Sequence, residues 1–350
     1  MLKKILWPIL IGTVLAIVLL IIFPSLQKGN QSNFPTSIFH DDPLSFSSAV
    51  KTAAPAVVNI YSRSINSFSQ ESQDSPITPL GSGVIMNGNG YIVTNYHVVE
   101  DAEQIIVALQ DGRIFEALSV GSDKLVDLAV LKIEASNIPT ILINPQREPK
   151  IGDVVLAIGN PYNIGQTITQ GIISATGRDG LSPYRRQNFI QTDASINHGN
   201  SGGALVNSKG ELMGINTLTF AKNLGNDIPE GIGFAIPTAL AVKIMNKLIR
   251  DGKVIRGYIG IDGLEFAPTQ NPSDMPVVLG ILVTRAEGPS LQAGIQANDI
   301  LIMVDNKPVK SIVETMDQIA ELKPGTIVPI IVQRNGEKIE LQLTIGQLPV

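Results

Sequence analysis

Short apolar segments separated by turns fill a region of about 200 residues that begins at Phe46. Turn sequences rich in glycine and polar residues recur at 87–90, 111–112 and 208–210. Short strands with frequent turns are typical of antiparallel sheets that close into barrels. A region of this length suits two small barrels in one domain. We therefore expect a mostly β domain over residues 46–252.

A helix is expected to complete this domain. Pro237 fits the first helical turn, and Gly252 stands where the helix should stop. Five apolar residues would share one face of that helix: Leu240, Ala241, Ile244, Met245 and Leu248.

Glycines surround one serine in the segment 199–203, Gly-Asn-Ser-Gly-Gly. Glycine permits backbone turns that other residues rarely adopt, so the N–H groups of Gly199 and Ser201 can point at one spot. Such a pair of donors could stabilise a negatively charged oxygen, as an oxyanion hole does. The same four letters Asn-Ser-Gly-Gly also occur as an ordinary turn.

His97 and Asp127 precede Ser201 and give the chain order of a trypsin-like triad. A serine hydroxyl is a weak nucleophile near neutral pH, so an imidazole must accept its proton and a carboxylate must orient the imidazole. Taken singly, His97 could be a core histidine and Asp127 could cap a strand. Their combination predicts a serine hydrolase with His97, Asp127 and Ser201 as catalytic residues.

The chain resembles the HtrA family of envelope serine proteases. The resemblance rests on the segments 94–99, 127–130, 199–203, 229–237 and 256–261. It implies a trypsin-like double β-barrel with His97 and Asp127 on the first barrel and Ser201 on the second. The site would then lie in the cleft between the barrels.

The remaining residues, 253–350, are long enough for one further small domain. The segments 256–261 and 288–301 resemble a single PDZ domain. In that resemblance Tyr258, Ile259, Gly260 and Ile261 form the loop that holds a peptide's C-terminal carboxylate, and the peptide adds as a strand beside it. An apolar stripe of Met316, Ile319 and Leu322 could line the peptide pocket or face the core.

The N-terminus predicts a membrane anchor. Residues 1–4 include Lys3 and Lys4, and an uncharged stretch of about 19 residues from Ile5 to Phe23 would span roughly 29 Å as a helix. A cleaved signal peptide is the alternative, but the apolar stretch is long and lacks a small-residue cleavage site. We expect residues 5–24 to cross the bacterial inner membrane once, with a cytoplasmic N-terminus. Residues 25–45 would be a linker, followed by periplasmic protease and PDZ domains.

Composition excludes several functions. The chain has no cysteine, which suits an oxidising compartment outside the cytoplasm. Its formal net charge is −5 without a basic cluster, so nucleic acid is not an expected partner. No Walker-type phosphate loop is present, so proteolysis should not depend on ATP. We expect neither a cofactor nor a metal.

Substrate preference is predicted at the residues before Ser201. Trypsin-like enzymes that prefer basic side chains carry an acidic residue at the position of Ser195, so a basic preference is not expected. Ile196 and Leu218 occupy positions of pocket walls, which favours a small or medium aliphatic residue before the scissile bond. His198 could tune the oxyanion loop or face solvent.

The resemblance also implies a regulated function. C-termini of misfolded outer-membrane proteins would bind the PDZ domain, and the activated protease would make the first cut in a transmembrane anti-sigma factor. Arg178 resembles the residue that senses the bound peptide in this family, although it could instead be a solvated surface arginine. The resemblance also implies a homotrimer. A general periplasmic protease and chaperone and an inactive PDZ scaffold are the competing hypotheses.

Overall fold

The computed structural model describes residues 2–22, 45–63, 77–160, 165–178, 189–197, 199–217, 231–266 and 280–349. The chain divides into two compact units, Met1–Ser45 and Phe46–Val350. The first unit contains helix α1, Leu2–Ile22. Its described side chains are those of Trp7, residues 11–19, 21 and 22. Within the described part of the chain, no helix is both long and apolar enough to cross a membrane.

The second unit begins with helix α2, Ser47–Ala53, and a 3₁₀ turn, Ala54–Ala56. Barrel 1 follows, and its strands are β1 (Val57–Arg63), β2 (Ile77–Ile85), β3 (Tyr91–Thr94), β4 (Gln104–Ala108), β5 (Ile114–Asp123) and β6 (Leu128–Lys132). They close in the order β1-β2-β3-β6-β5-β4. A short helix α3, Tyr96–Val99, follows β3 directly.

Barrel 2 has the same circular order, β10-β11-β12-β9-β8-β7. Its strands are β7 (Val154–Gly159), β8 (Thr167–Arg178), β9 (Phe189–Thr192), β10 (Ala204–Asn207), β11 (Leu212–Thr217) and β12 (Gly233–Pro237). The prediction of two antiparallel barrels is confirmed.

The barrels share an apolar core because their strands bury both faces. In β6, Leu131 packs inside barrel 1, whereas Leu128 and Val130 join a cluster that spans both barrels. In β7, Val155 lies inside barrel 2 and Leu156 lies in the shared cluster. Successive strand residues point to opposite faces, so a strand buried on both sides becomes a continuous apolar run. The shared core fixes one barrel against the other.

Helix α4, Thr238–Asp251, completes the barrel domain. The predicted apolar face is confirmed, since Ala241, Ile244, Met245 and Leu248 are buried. Pro237 lies one position earlier than predicted, because it ends β12 and caps the helix instead of forming its first turn. Gly252 ends the helix in a left-handed conformation with φ 70°.

The C-terminal domain combines a small sheet, a larger sheet and two helices. The small sheet pairs β13 (Gly257–Tyr258) with β20 (Gly346–Gln347). The larger sheet has the order β14-β15-β16-β18-β19, with β17 paired to β16. Its strands are β14 (Ile261–Phe266), β15 (Gly280–Ala286), β16 (Ile300–Val304), β17 (Lys307–Pro308), β18 (Ile327–Arg334) and β19 (Glu337–Thr344). The helices are α5 (Pro289–Gln292) and α6 (Ile312–Glu321).

Two sets of ion pairs connect the C-terminal domain to the barrels. Arg256 binds Asp123 through both carboxylate oxygens, at 3.1 Å and 2.5 Å, and the Asp123 side chain is 3% exposed. Glu321 at the end of α6 binds Lys243 at 2.8 Å and Lys247 at 3.1 Å on α4. Burial of Glu321 opposes ionisation, but the lysine hydrogen bonds outweigh it and lower the pKa of this carboxyl.

Candidate active site

His97 and Asp127 become neighbours because β3 pairs with β6. Thr94 at the end of β3 lies opposite Ala129, so the residues just outside this strand pair meet at one edge of barrel 1. Asp127 adopts a left-handed backbone with φ 59°, which is uncommon outside glycine. Asn95 stabilises this turn by donating from Nδ2 to Asp127 O at 2.9 Å.

The Asp127 carboxylate fixes the imidazole of His97. Its oxygens lie 2.9 Å and 2.8 Å from His97 Nδ1, and Oδ1 also accepts from His97 N at 3.0 Å. A carboxylate only accepts, so Nδ1 carries the proton and Nε2 keeps its lone pair in neutral His97. That tautomer is the one a general base requires.

Thr217 supplies a third donor to Asp127. Its hydroxyl, at the end of β11 in barrel 2, donates to Asp127 Oδ2 at 2.9 Å. Asp127 is 3% exposed and Thr217 is fully buried, so this hydrogen bond crosses between the barrels away from water. Hydrogen bonds to a charged group are stronger in such surroundings.

Ser201 lies on a loop that only glycine can form at its tightest point. Gly202 has φ 80°, and a Cβ there would lie 2.1 Å from Ser82 O. Gly199 also has a positive φ, 96°. Within the described residues, the backbone nitrogens of Gly199 and Ser201 donate to no protein acceptor. They therefore meet one requirement of the predicted oxyanion hole.

The Ser201 hydroxyl makes no hydrogen bond to the described part of the chain. Ser201 is 3% exposed, and among the described residues its Oγ has no hydrogen-bond partner. The hydrogen bond from a nucleophilic serine to its base is therefore not formed in this structure. Such bonds are often long in unliganded enzymes and tighten when substrate binds.

The predicted substrate pocket is described in part. Ser195 is exposed, and its carbonyl accepts from Thr169 Oγ1 at 2.8 Å. Ile196 is buried, 8% exposed, and its side chain would meet any Cβ added at Gly233. Leu218 and His198 lie outside the described residues.

The predicted peptide-binding loop connects β13 to β14. Ile259 is buried, and Gly260 turns with φ 75°. Ser290 on α5 secures the loop, since its N donates to Ile259 O at 2.8 Å and its hydroxyl to Gly260 O at 2.5 Å. Among the described strands, β14 pairs only with β15, so its other edge can accept an added strand.

Glu287 places a carboxylate beside this loop. Tyr258 donates its hydroxyl to Glu287 Oε1 at 2.7 Å. Burial of the phenol, and to a smaller extent its hydrogen bond to Glu287, raises the pKa of Tyr258 to about 12. Tyr258 therefore remains a neutral donor at the mouth of the loop near physiological pH.

The structure decides between the two interpretations of the α6 stripe in part. Met316 and Ile319 belong to the buried core of the C-terminal domain, whereas Leu322 follows the helix and is only partly buried. Arg178 ends β8, where its backbone pairs with Phe189, and its side chain lies outside the described part.

Thr217, Asn95 and Ser82 are polar residues of the site that the sequence analysis missed. Each lies inside or beside an apolar strand. Asn95 contacts Asp127 within barrel 1, whereas Thr217 and Ser82 make their contacts only when the two barrels pack together. Their polarity within otherwise apolar segments could have indicated a role, because buried polar groups need hydrogen-bond partners. No group of three or more acidic or histidine side chains could hold a metal ion within the ranges that the structure describes.

Comparisons with known proteins agree with this architecture. Residues 81–215 match the family model of a trypsin-like peptidase domain, and residues 257–345 match that of a PDZ domain. The protein is thus a serine endoprotease with a trypsin-like double barrel and a PDZ domain.

Individual relatives narrow the class. The serine endoprotease DegS of Salmonella typhimurium is 59% identical over 100% of this chain and 99% of its own length. The crystal structure of a serine endoprotease from Yersinia pestis matches with a TM-score of 0.72 and 58% identity, covering 88% of this chain and 99% of that chain. The HtrA-type protease AlgW with a decapeptide matches with a TM-score of 0.77 and 40% identity, covering 88% and 100%. The chain therefore belongs to the HtrA family of serine endoproteases.

Proposed function

We propose that His97, Asp127 and Ser201 are the catalytic residues of a regulated membrane-anchored endopeptidase. The observation that carries this proposal is the buried Asp127 carboxylate bound to His97 Nδ1, which leaves Nε2 as the base. His97 would remove the Ser201 proton as Oγ attacks a peptide carbonyl, then return it to the leaving amine. In the second step, His97 would accept a proton from the water that attacks the acyl-enzyme and return it to Ser201 Oγ.

Gly199 and Ser201 would form the oxyanion hole. Their backbone N–H groups would bind the carbonyl oxygen as it gains negative charge, which is often the largest single contribution to such catalysis. Ser195, Ile196 and Leu218 would shape a pocket for a small or medium aliphatic side chain. The serine at position 195, where relatives that prefer basic side chains carry an acidic residue, supports a pocket without a negative charge.

Activity would be controlled by the C-terminal domain. Tyr258, Ile259, Gly260 and Ile261 would bind the C-termini of misfolded outer-membrane proteins, consistent with the related AlgW having been solved with a decapeptide. A peptide shifts an equilibrium only through its different affinity for the two states. The ion pairs that connect Arg256 and Glu321 to the barrel domain give the C-terminal domain a physical means to favour one state.

We infer that peptide binding releases an inhibited state. The ion pairs of Arg256 with Asp123 and of Glu321 with Lys243 support an inhibitory contact between the two domains. Arg178 would contact the peptide-bound C-terminal domain and thereby change the conformation of residues 199–203. Coupling of about 1–3 kcal/mol is typical of such switches and would change activity about 5- to 150-fold.

The substrate would be a transmembrane anti-sigma factor, cut on its periplasmic side. Residues 5–24 would anchor the protease in the inner membrane, the linker would span residues 25–45, and homotrimers would form through residues 46–252. Residues 253–350 would be the sensor domain. The uncharged stretch that follows Lys3 and Lys4 supports the anchor and its orientation.

A fluorophosphonate probe tests the proposed nucleophile. We expect the wild-type chain to be labelled at Ser201, more rapidly when a peptide with an apolar or aromatic C-terminus is added. Ser201→Ala should lose labelling and proteolysis while keeping peptide affinity, because it removes one buried oxygen. Labelling at another residue, or unchanged proteolysis by Ser201→Ala, would reject the triad.

Truncations test regulation and location separately. Deletion of residues 257–350 should raise the basal cleavage rate and abolish the response to peptide; a truncated protein that still accelerates with peptide would exclude this domain as the sensor. Removal of residues 1–27 should release the protein from membranes without changing cleavage of a soluble reporter. A native N-terminus near residue 25 in membrane-free extracts would instead indicate a cleaved signal peptide.

A general quality-control protease is the alternative function. Broad degradation of unfolded proteins without peptide would favour it.

A further inference from the structure

Ser82 of β2 is fully buried and uses all of its polar groups. Its hydroxyl donates to Gly199 O at 2.7 Å and accepts from Asn160 N at 3.0 Å. Its backbone N donates to Ser201 O at 2.9 Å, and its O accepts from Thr94 Oγ1 at 2.7 Å. A single residue of barrel 1 therefore contacts residues 199–203 of barrel 2, the nucleophile loop, at two points.

These two contacts fix the orientation of the loop. Ser82 N and Oγ hold the carbonyls of Ser201 and Gly199, the two residues whose N–H groups would form the oxyanion hole. Holding these carbonyls fixes the planar peptide units 199–200 and 201–202, which border the units that carry the Gly199 and Ser201 N–H groups. The direction of the loop therefore depends on Ser82.

Close backbone packing leaves Gly199 O dependent on the Ser82 hydroxyl. A Cβ at Gly81 would lie 3.0 Å from Ser201 O, and a Cβ at Gly159 would lie 2.7 Å from Asn200 Cα. The same Gly159 Cβ would lie 3.1 Å from Ser82 Oγ. This close approach leaves little space for another protein donor, and a partly buried carbonyl without a donor loses stabilisation.

Ser82 also relates the nucleophile loop to the base. Its carbonyl is bound by Thr94, which ends β3 shortly before His97. Ser201 and His97 lie on different barrels, yet this short route through β2 and β3 sets their relative position.

We propose that Ser82 is a positioning residue that aligns Ser201 and the oxyanion donors with His97. This inference rests on the catalytic role proposed for Ser201. The hydrogen bonds of Ser82 to this loop reach backbone carbonyls and not Ser201 Oγ, so Ser82 would act through the orientation of the loop. Its loss should therefore reduce kcat and leave KM nearly unchanged.

The test compares Ser82→Ala with Thr238→Val in the full chain, with cleavage of a fluorogenic peptide that carries valine before the scissile bond. Thr238 donates its hydroxyl to Leu212 O at 2.8 Å in the same domain, away from the nucleophile loop, so its variant controls for loss of an internal hydroxyl. Ser82→Ala should reduce kcat and the rate of fluorophosphonate labelling at Ser201 by about 10- to 100-fold, less than the loss of an oxyanion donor itself. KM should change less than about twofold, and Thr238→Val should stay within about twofold in both rates.

Thermal unfolding of each variant separates positioning from stability. If Ser82→Ala does not fold, Ser82→Cys retains a weak S–H donor and should show an intermediate kcat. Wild-type rates in a folded Ser82→Ala or Ser82→Cys variant would overturn the positioning role and leave the proposed triad intact. A wild-type chain not labelled at Ser201 would reject the triad and this inference together.

Discussion

The buried hydroxyl of Thr217 offers a direct test of how the site is oriented. Thr217→Val keeps the side-chain shape and removes the hydrogen bond to Asp127 Oδ2, which is 2.9 Å long. Asp127 would retain both of its contacts with His97. A hydrogen bond to a charged group contributes about 1.5–3 kcal/mol. A loss of about 2 kcal/mol that is felt in the transition state lowers kcat about 30-fold.

The assay is cleavage of one fluorogenic peptide by the wild type, Thr217→Val and the control Thr238→Val. We expect the loss mainly in kcat, because Thr217 binds the carboxylate that would stabilise the developing imidazolium in the proposed mechanism. A thermal melt identifies any variant that is merely unfolded. If folded Thr217→Val cleaves within twofold of the wild type, the Thr217 hydroxyl does not orient Asp127 for catalysis.

Three further substitutions test other parts of the structure. Gly202→Ala should abolish fluorophosphonate labelling and lower the melting temperature, because its Cβ would lie 2.1 Å from Ser82 O at a φ of 80°; a labelled, stable variant would contradict the loop geometry. Asp123→Ala should raise the basal cleavage rate about tenfold by breaking the bidentate arginine contact between domains, and an unchanged rate would show that this contact does not inhibit. Asp299→Asn should lower the free energy of unfolding by about 3 kcal/mol at pH 7, because hydrogen bonds from Arg334 outweigh burial and lower the pKa of Asp299. Because the pKa of Asp299 is lower in the folded state than the ordinary value of 3.8, its ionisation stabilises the folded protein above that pH. The difference in free energy of unfolding between the wild type and Asp299→Asn, measured with urea, should therefore shrink as the pH falls below 3.8. A difference that does not change with pH would contradict the ion pair.

Much of the architecture could be predicted because it depends on local patterns. Turn sequences and short apolar strands predicted the barrels, and Gly252 marked the end of α4. The position of Pro237 was less certain from sequence, since a proline fits both the end of a strand and the start of a helix.

The three proposed catalytic residues could be singled out from the sequence for a different reason. Few residue types can serve as nucleophile, base and orienting acid, so His97, Asp127 and Ser201 stood out by type and order. Thr217 and Ser82 did not stand out, because threonine and serine are common in strands and their partners are distant in sequence. Asp127 Oδ2 and Gly199 O reach them only after the two barrels pack together.

The sequence by itself determined the strands, the glycine loop and the chemical groups, since these follow from backbone propensity and side-chain type. Only the tertiary structure decided which polar groups bind one another across the barrels and between domains. The ion pair of Arg256 with Asp123, for example, joins residues far apart in the chain. Such contacts depend on positions set to within an ångström by the shared core, and short-range sequence patterns carry no information on that scale.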